Sequence, residues 1–276
     1  MRVRAAVLVL ATVITSAGAA PAVASPAVAL AAANMEAVVK AAQIDPRRPD
    51  TALTPGARDS VLLVEQALDA KNLLATTYVD GHFGTKTVEA YAAYQRSLGY
   101  TGLDASGLPG RTSLTTLGEG RYTVSNVLTP GARLTYHSAT MNTRTKAMLV
   151  KAEGLLGRTL SITQGSYNPG NPDSAGTHDG GGVLDISVSG MSTTLRTTVV
   201  RTLRQVGFAA WLRTPAQGFA YHIHAVAISD TDMSPSAQHQ AGDYYLGQNG
   251  LANRGPDDGP QVTKVTWEEY QRASVA

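Results

Sequence analysis

Residues 219–229 of this 276-residue chain read FAYHIHAVAIS and place two of its six histidines one residue apart. Side chains alternate between the two faces of a β-strand, so His222 and His224 lie on one face with Cα atoms roughly 6.5–7 Å apart. Tyr221, Ile223 and Ala225 then point to the opposite face and can pack in a core. Because buried polar groups need partners, the two imidazoles indicate a binding site, and a chance His-x-His pair is the alternative.

A second stretch, SAGTHDGGGVLDISV at residues 174–188, carries the residues that complete such a site. Asp185 lies in an apolar strand, and an ionised carboxylate placed there requires a cation. The flexible glycine run Gly180–Gly182 allows the chain to double back between His178 and Asp185. We therefore expect these two side chains to face a common ion.

His178, Asp185 and a histidine of the pair supply two imidazole nitrogens and one carboxylate, the donor set of a catalytic zinc site with a position left for solvent. The chain has no cysteine. This excludes thiolate metal sites, cysteine nucleophiles and disulfides. The sequence therefore predicts a Zn²⁺ cofactor.

Residues 1–24 are expected to be a signal peptide that directs secretion. Arg2 and Arg4 precede a short apolar run, and the small residues AVA at 22–24 form a cleavage site. A transmembrane anchor is the alternative, but the run is shorter than the ~20 apolar residues that a membrane span needs. Removing these two arginines from the 23 basic residues leaves 21, which equals the 21 acidic residues. The remaining chain is formally neutral, so no nucleic-acid partner is expected.

Residues 25–52 are rich in alanine and proline and are expected to be a spacer with at most a short helix near residues 35–42. Across residues 53–118, apolar residues recur at helical spacing in RDSVLLVEQALDAKNLL, TKTVEAYAAYQRSLG and GRTSLTTLG. A DGHFG turn separates the first two segments. The pattern predicts a small all-α bundle.

Several positions in this bundle resemble the three-helix peptidoglycan-binding domain. Gly81 and Gly84 permit a tight turn, and Phe83 fills the small core. The resemblance implies that the bundle binds peptidoglycan of the cell wall; any other small helical bundle is the alternative. The matching residues are Val64…Gln66…Leu68, Asp80-Gly81-x-Phe83-Gly84-x-x-Thr87, Tyr94-Gln95 and Gly107…Gly110-x-Thr112…Leu117.

Residues 119–131 are expected to be a linker, and residues 132–276 a second domain. NTRTKAMLVKAEGLLG predicts a helix capped by Asn142 or Thr143, and STTLRTTVVRTLRQVG predicts a helix capped by Ser192. Four stretches are typical of strands: TLSITQGSY, GVLDISVS, FAAWLRT and YHIHAVAIS. This order of elements predicts an α+β fold with an antiparallel sheet that carries the zinc site.

The stretch THDGGGVLD resembles the Ser-x-His-x-x-Gly-x-Ala-x-Asp signature of D-Ala-D-Ala metallopeptidases. The later His-x-His pair resembles that of the related lysostaphin-type and murein endopeptidases. The resemblance covers roughly residues 139–229. It implies that His178, Asp185 and His224 bind zinc. It also implies that His222 is the free histidine, acting as a general base or stabilising the oxyanion, in a hydrolase of peptidoglycan peptide bonds.

Four positions depart from these families. Gly176 stands where the motif has serine, and Val183 where it has alanine. Carboxypeptidases of the group place Glu or Asp three residues before the last zinc histidine, where this chain has Tyr221. A Tyr-Arg pair often ends the strand before the first ligand and holds substrate. Here Tyr167 and Asn168 take those positions and are the candidate substrate-binding residues.

The remaining candidates are less specific. His137 and His239 are either groups that support the site or surface residues, and Tyr244 and Tyr245, in a polar tail, either cover the cleft or anchor the tail. Ser166 is not in a Gly-x-Ser-x-Gly pattern, so a serine hydrolase is not expected.

We expect a secreted zinc-dependent peptidase, a carboxypeptidase or an endopeptidase, brought to peptidoglycan by the amino-terminal module. The alternative is a non-catalytic wall-binding protein with a degenerate peptidase-like domain.

Overall fold

The computed structural model describes residues 29–275, and the expected signal peptide lies outside them. This part of the chain mixes helices with small, mostly antiparallel sheets, as the predicted α+β class requires. No helix within it is long and apolar enough to cross a membrane. The helices are α1 (Met35–Ile44), α2 (Arg58–Asp69), α3 (Thr85–Ser97), α4 (Arg111–Leu117), α5 (Thr143–Leu156), α6 (Thr193–Gln205), α7 (Pro235–Tyr245) and α8 (Trp267–Val275). The strands are β1 (Ala32–Asn34), β2 (Thr123–Ser125), β3 (Arg133–Tyr136), β4 (Ala139–Asn142), β5 (Ile162–Gln164), β6 (Val183–Ser187), β7 (Phe208–Arg213) and β8 (His222–Ala227).

Four strands form the sheet that carries the candidate site, in the order β5-β6-β8-β7, and each neighbouring pair is antiparallel. Asp185 of β6 and Trp211 of β7 both lie opposite His224 of β8, and Arg213 of β7 lies opposite His222. Residues that pair across strands project from the same face of a sheet. One face therefore carries all five of these side chains.

The opposite face of this sheet is apolar and packs against α5 and α6. Leu184, Ile186, Ile223 and Ala225 are completely buried and share one hydrophobic cluster with apolar residues of both helices. The predicted alternation of strands β6 and β8 is therefore confirmed. Because this face is anchored in a core, the polar face cannot slip to a different register without burying its charges.

Helices α5 and α6 begin at caps that the sequence predicts. The side chain of Asn142 accepts a hydrogen bond from the backbone N–H of Thr145 at 2.8 Å. That of Ser192 accepts one from Leu195 at 3.2 Å. These bonds satisfy backbone donors that a helix amino terminus leaves free.

The described part of residues 25–52 is not a spacer. Strand β1 pairs in parallel with β2, which lies inside the expected linker, residues 119–131. Met35, Val38 and Val39 of α1 are completely buried. The alanine- and proline-rich composition suggested a solvated segment, but the apolar residues of α1 recur at helical spacing and face a core.

A single hydrophobic cluster joins the helical segment to the sheet. It contains Phe83 and Leu114 of the helical segment together with Val226 of β8. The expected domains, residues 53–118 and 132–276, therefore share this cluster, while the sheet and helices α5 and α6 form a second one between them. Periodicity within each segment could not reveal this, because the contact joins residues far apart in the chain.

The DGHFG turn between α2 and α3 forms as predicted, and buried carboxylates anchor it. Glu65 accepts hydrogen bonds from the backbone N–H groups of Asp80 at 3.0 Å and Gly81 at 2.8 Å. Asp45 accepts one from the N–H of Phe83 at 3.1 Å. Gly81 has a φ of 87°, a backbone conformation that favours glycine. The residue after α1 therefore helps to hold the turn between two later helices.

The expected polar tail contains α7, which packs on the sheet. Ala237, Ala241 and Tyr244 recur at helical spacing and are buried. The ring of Tyr244 lies edge-on to that of Trp211, with centroids 5.9 Å apart. Of the two roles considered for Tyr244, the structure therefore supports anchoring, and α7 is part of the core rather than a tail.

Candidate metal centre

A cleft of about 520 Å³ opens over the polar face of the sheet. Residues 173–177, residues 218–220 and residues 250–252 contribute to its walls. The first segment precedes the predicted ligand His178, and the second joins β7 to β8. The third comes from the carboxy-terminal part of the chain. The polar side chains lining the cleft include Gln164, His178, Asp185, Arg213, His222, His224 and Gln240.

His178, Asp185 and His224 lie together in this cleft, with one potential ligand atom of each within 4.8 Å of the others. Oδ1 of Asp185 is 2.8 Å from Nδ1 of His224 and 3.4 Å from Nε2 of His178. The two imidazole rings have centroids 5.4 Å apart. The three residues predicted as ligands therefore form a buried group that could hold a metal ion.

The second nitrogen of each of these imidazoles has a protein partner. Nδ1 of His178 donates to the carbonyl oxygen of Gly165 at 2.9 Å, which leaves Nε2 to face Asp185. Nε2 of His224 lies 2.8 Å from Oε1 of Gln240, which leaves Nδ1 to face Asp185. Metal-binding histidines characteristically have such an outer partner, because it fixes the ring and the tautomer.

The charges in the group suit metal binding. Burial alone would raise the pKa of Asp185, but the imidazoles of His178 and His224 beside it lower it well below its ordinary value. Burial lowers the pKa of His224 despite the neighbouring carboxylate. An ionised carboxylate and a neutral imidazole are the forms that donate electron pairs to a cation.

His222 lies next to the group without joining it. Its Nδ1 donates to the carbonyl oxygen of Ala220 at 2.8 Å, and its Nε2 is 3.6 Å from Oδ1 of Asp185. The ring packs edge-on against Phe219, with centroids 6.0 Å apart. Its side chain is more exposed than those of His178 and His224. A histidine held in this way presents one ring nitrogen to the cleft for proton exchange.

Arg213 is a cleft residue that the sequence analysis missed. It is 2% exposed, its Nη1 donates to the carbonyl oxygen of Asn249 at 2.7 Å, and its Nη2 has no hydrogen-bond partner among residues 29–275. Burial lowers its pKa to about 10, so it is charged at neutral pH. A signal was available, because Trp211 and Arg213 alternate on β7 as His222 and His224 do on β8.

Tyr167 and Asn168, predicted to bind substrate, do not line this cleft. The hydroxyl of Tyr167 donates to the carboxylate of Asp232 at 2.6 Å, and the guanidinium of Arg133 lies 3.9 Å from the centre of its ring. The backbone N–H of Asn168 donates to the carbonyl oxygen of His178 at 2.9 Å. These residues therefore shape the loop that carries His178 and stay away from the site itself.

Tyr221 was expected to pack in the core on the face opposite the histidines, but it lies on the surface. It lies just before β8, is 51% exposed, and has the guanidinium of Arg196 4.9 Å from its ring centre.

His137 contacts Glu153 at 3.0 Å outside the cleft, and His239 is on the exposed side of α7. The two histidines therefore match the surface alternative.

The run Gly180–Gly182 reverses the chain between His178 and Asp185, as predicted, but it is tightly packed rather than free. A Cβ atom at Gly180 would overlap the backbone carbonyl oxygen of Asp232. Gly182 has a φ of 81°. The glycines are needed because the backbone after β8 approaches them closely.

Gly180→Ala is expected to lower the free energy of unfolding by about 3 kcal/mol, the upper range for inserting a methyl group into a packed site. Urea unfolding of the metal-free protein measures the change. Gly154→Ala is the matched control, because a Cβ there meets nothing within 4 Å and alanine favours the helix. If both variants were as stable as the parent, the close approach at Gly180 would be disproved.

No family model, curated protein or solved structure matches the chain.

Proposed function

We propose that the chain is a secreted zinc-dependent peptidase that hydrolyses peptide bonds of bacterial peptidoglycan, as a carboxypeptidase or an endopeptidase. The observation that carries the proposal is the convergence of His178, Asp185 and His224 in an open cleft with His222 beside them. Titratable groups gathered in a cleft, with a strongly shifted pKa at Asp185, are characteristic of a functional site.

The donor set supports zinc as the ion. Two imidazole nitrogens and one carboxylate oxygen are the ligands of many catalytic zinc sites. When bound, zinc polarises a carbonyl group and makes water nucleophilic near neutral pH. His178 Nε2, His224 Nδ1 and the carboxylate of Asp185 would hold it.

His222 is proposed as the general acid and base. The carbonyl oxygen of Ala220 can only accept, so Nδ1 of His222 carries a hydrogen and Nε2 is the basic nitrogen of the neutral ring. In this proposal Nε2 takes a proton from the attacking water and returns it to the leaving amine. Ionised Asp185, 3.6 Å away, stabilises the imidazolium formed between these two events.

The surroundings of the cleft suit a peptide that carries a carboxylate. Arg213 places a buried positive charge beside the histidines, and its Nη2 is unpartnered. Peptide stems of the cell wall belong to this chemical class. The resemblance of residues 53–118 to a peptidoglycan-binding domain supports the same substrate, since a bound module raises the local concentration of the polymer.

A non-catalytic wall-binding protein is the second candidate. Among residues 29–275, the acidic residues that line the cleft are Asp173 and Asp185. Tyr221 stands where the related carboxypeptidases have a carboxylate base, and its ring packs beside Arg196 outside the cleft. If His222 does not serve as the base, this cleft has no carboxylate at the expected position to replace it.

Digestion of purified peptidoglycan separates the two candidates. We expect the zinc-loaded protein to release new amino groups steadily, and we expect a chelator to stop the release until zinc is restored. Binding of the polymer without any release under either condition would support the non-catalytic candidate and contradict the peptidase proposal.

A further inference from the structure

We propose that Gln240 on α7 is the positioning residue that holds His224 with a hydrogen on Nε2 and so leaves the lone pair of the neutral ring on Nδ1, which faces Asp185. The inference rests on the proposed metal centre and adds a residue from the segment that the sequence analysis treated as a tail. Gln240 touches neither Asp185 nor His222 within hydrogen-bond distance, so it acts through His224 alone.

The direction of the hydrogen bonds follows from a backbone carbonyl. The amide of Gln240 lies between the carbonyl oxygen of Gly250, 3.0 Å from its Nε2, and the ring of His224, 2.8 Å from its Oε1. The carbonyl can only accept, so the NH₂ group of Gln240 must face Gly250. Oε1 therefore faces His224, and Nε2 of the imidazole must be the donor.

The opposite arrangement has a clear cost. Rotating the amide of Gln240 by 180° would let Nε2 of His224 accept, but it would place Oε1 against the carbonyl oxygen of Gly250. His224 is only 5% exposed, so water has little access to repair the lost bond. The amide therefore favours a hydrogen on Nε2 of His224, which leaves the lone pair of the neutral ring on Nδ1, the nitrogen 2.8 Å from Oδ1 of Asp185 where a cation would be shared.

The backbone that orients Gln240 is itself fixed by two other side chains of the site. Nε1 of Trp211 donates to the carbonyl oxygen of Gln248 at 3.2 Å, and Nη1 of Arg213 donates to that of Asn249 at 2.7 Å. Gln240 donates to the next carbonyl, that of Gly250. Three consecutive carbonyl groups thus accept from Trp211, Arg213 and Gln240, which ties this carboxy-terminal wall to the proposed ligand His224.

Two substitutions separate the contact with His224 from the contact with Gly250. Gln240→Glu keeps an acceptor for Nε2 of His224, whereas Gln240→Leu removes it, and both lose the bond to Gly250. Gln238→Leu is the matched control, because this buried glutamine of α7 donates to Met233 and makes no contact with the cleft.

The first readout needs no metal. In ¹⁵N NMR spectra of the metal-free protein, the Nε2–H group of His224 is expected to exchange slowly in the parent, in Gln240→Glu and in Gln238→Leu, and to exchange fast in Gln240→Leu. The second readout is zinc affinity by calorimetry, expected to fall about 10–100-fold in Gln240→Leu, the usual cost of losing an outer partner. Gln238→Leu should bind zinc as the parent does.

The outcomes are distinct. An Nε2 without hydrogen in the parent would overturn the inference, and so would a Gln240→Leu variant with unchanged exchange and unchanged affinity. Equal loss in Gln240→Glu and Gln240→Leu would also overturn it, because the bond to Gly250 would then be the cause. A parent that shows the protected Nε2–H but binds no zinc would contradict the proposed function and leave the role of Gln240 in orienting His224 supported.

Discussion

Asp185→Asn is expected to lower zinc affinity by more than about 100-fold, beyond what the loss of an outer partner costs. The substitution keeps the shape of the side chain and removes the charge. Oδ1 of Asp185 lies within 3.6 Å of a nitrogen of each of His178, His222 and His224. This carboxylate therefore supplies the negative charge that all three imidazoles share. Calorimetric titration with zinc measures the effect. Release of amino groups from peptidoglycan should fall more than about a thousandfold, because a bound metal supplies several kcal/mol and about 1.4 kcal/mol is a factor of ten.

Asp173→Asn is the matched control for this prediction. Asp173 also lines the cleft, but it is exposed and lies outside the group that could hold a metal ion. Its zinc affinity should equal that of the parent. An Asp185→Asn variant that binds zinc with parental affinity would rule out this carboxylate as a ligand.

His222→Ala is expected to reduce the rate of hydrolysis by about 10²–10⁴-fold, the usual contribution of a general acid or base. Zinc affinity should change far less than in Asp185→Asn, since His222 lies beside the group of three and not within it. The initial rate of amine release, measured with the zinc-loaded protein, gives the first quantity. Calorimetry gives the second.

His239→Ala controls for the loss of an imidazole, because His239 lies on the exposed side of α7 and does not line the cleft. It should hydrolyse peptidoglycan at the parental rate. Equal rates for His222→Ala and the parent would remove His222 from the mechanism. If Asp173→Asn lost the activity instead, the base would be that carboxylate.

The sequence was most informative where a local rule applies. Alternation along β6 and β8 predicted which side chains share the polar face, and Asp185 and His224 are in fact directly opposite in the register. Asn142 and Ser192 were predictable as caps because their side chains bond to the same helix. The strand faces and the helix caps were predictable because each is determined by residues close in sequence or by a single pair of strands.

The sequence was least informative where distant segments meet. The short helix allowed near residues 35–42 does form as α1, but its burial was not predictable, because alanine suits both a solvated linker and a tightly packed helix. Gln240 gave no local signal of its role, since that role depends on how the segment around Gly250 docks on the sheet. Arg213 alternates with Trp211 on β7, but its bond to the carbonyl oxygen of Asn249 also depends on that docking. The position of Tyr167 outside the cleft was not predictable for the same reason. Its hydroxyl donates to Asp232, which lies 65 residues later in the chain.

A crystal structure of the zinc-soaked protein, with anomalous scattering recorded at the zinc edge, would show whether the three side chains bind the metal. We predict one strong peak about 2.0–2.2 Å from His178 Nε2, His224 Nδ1 and a carboxylate oxygen of Asp185. No peak between these three side chains, or a zinc ion bound elsewhere while they bond only to one another, would contradict it.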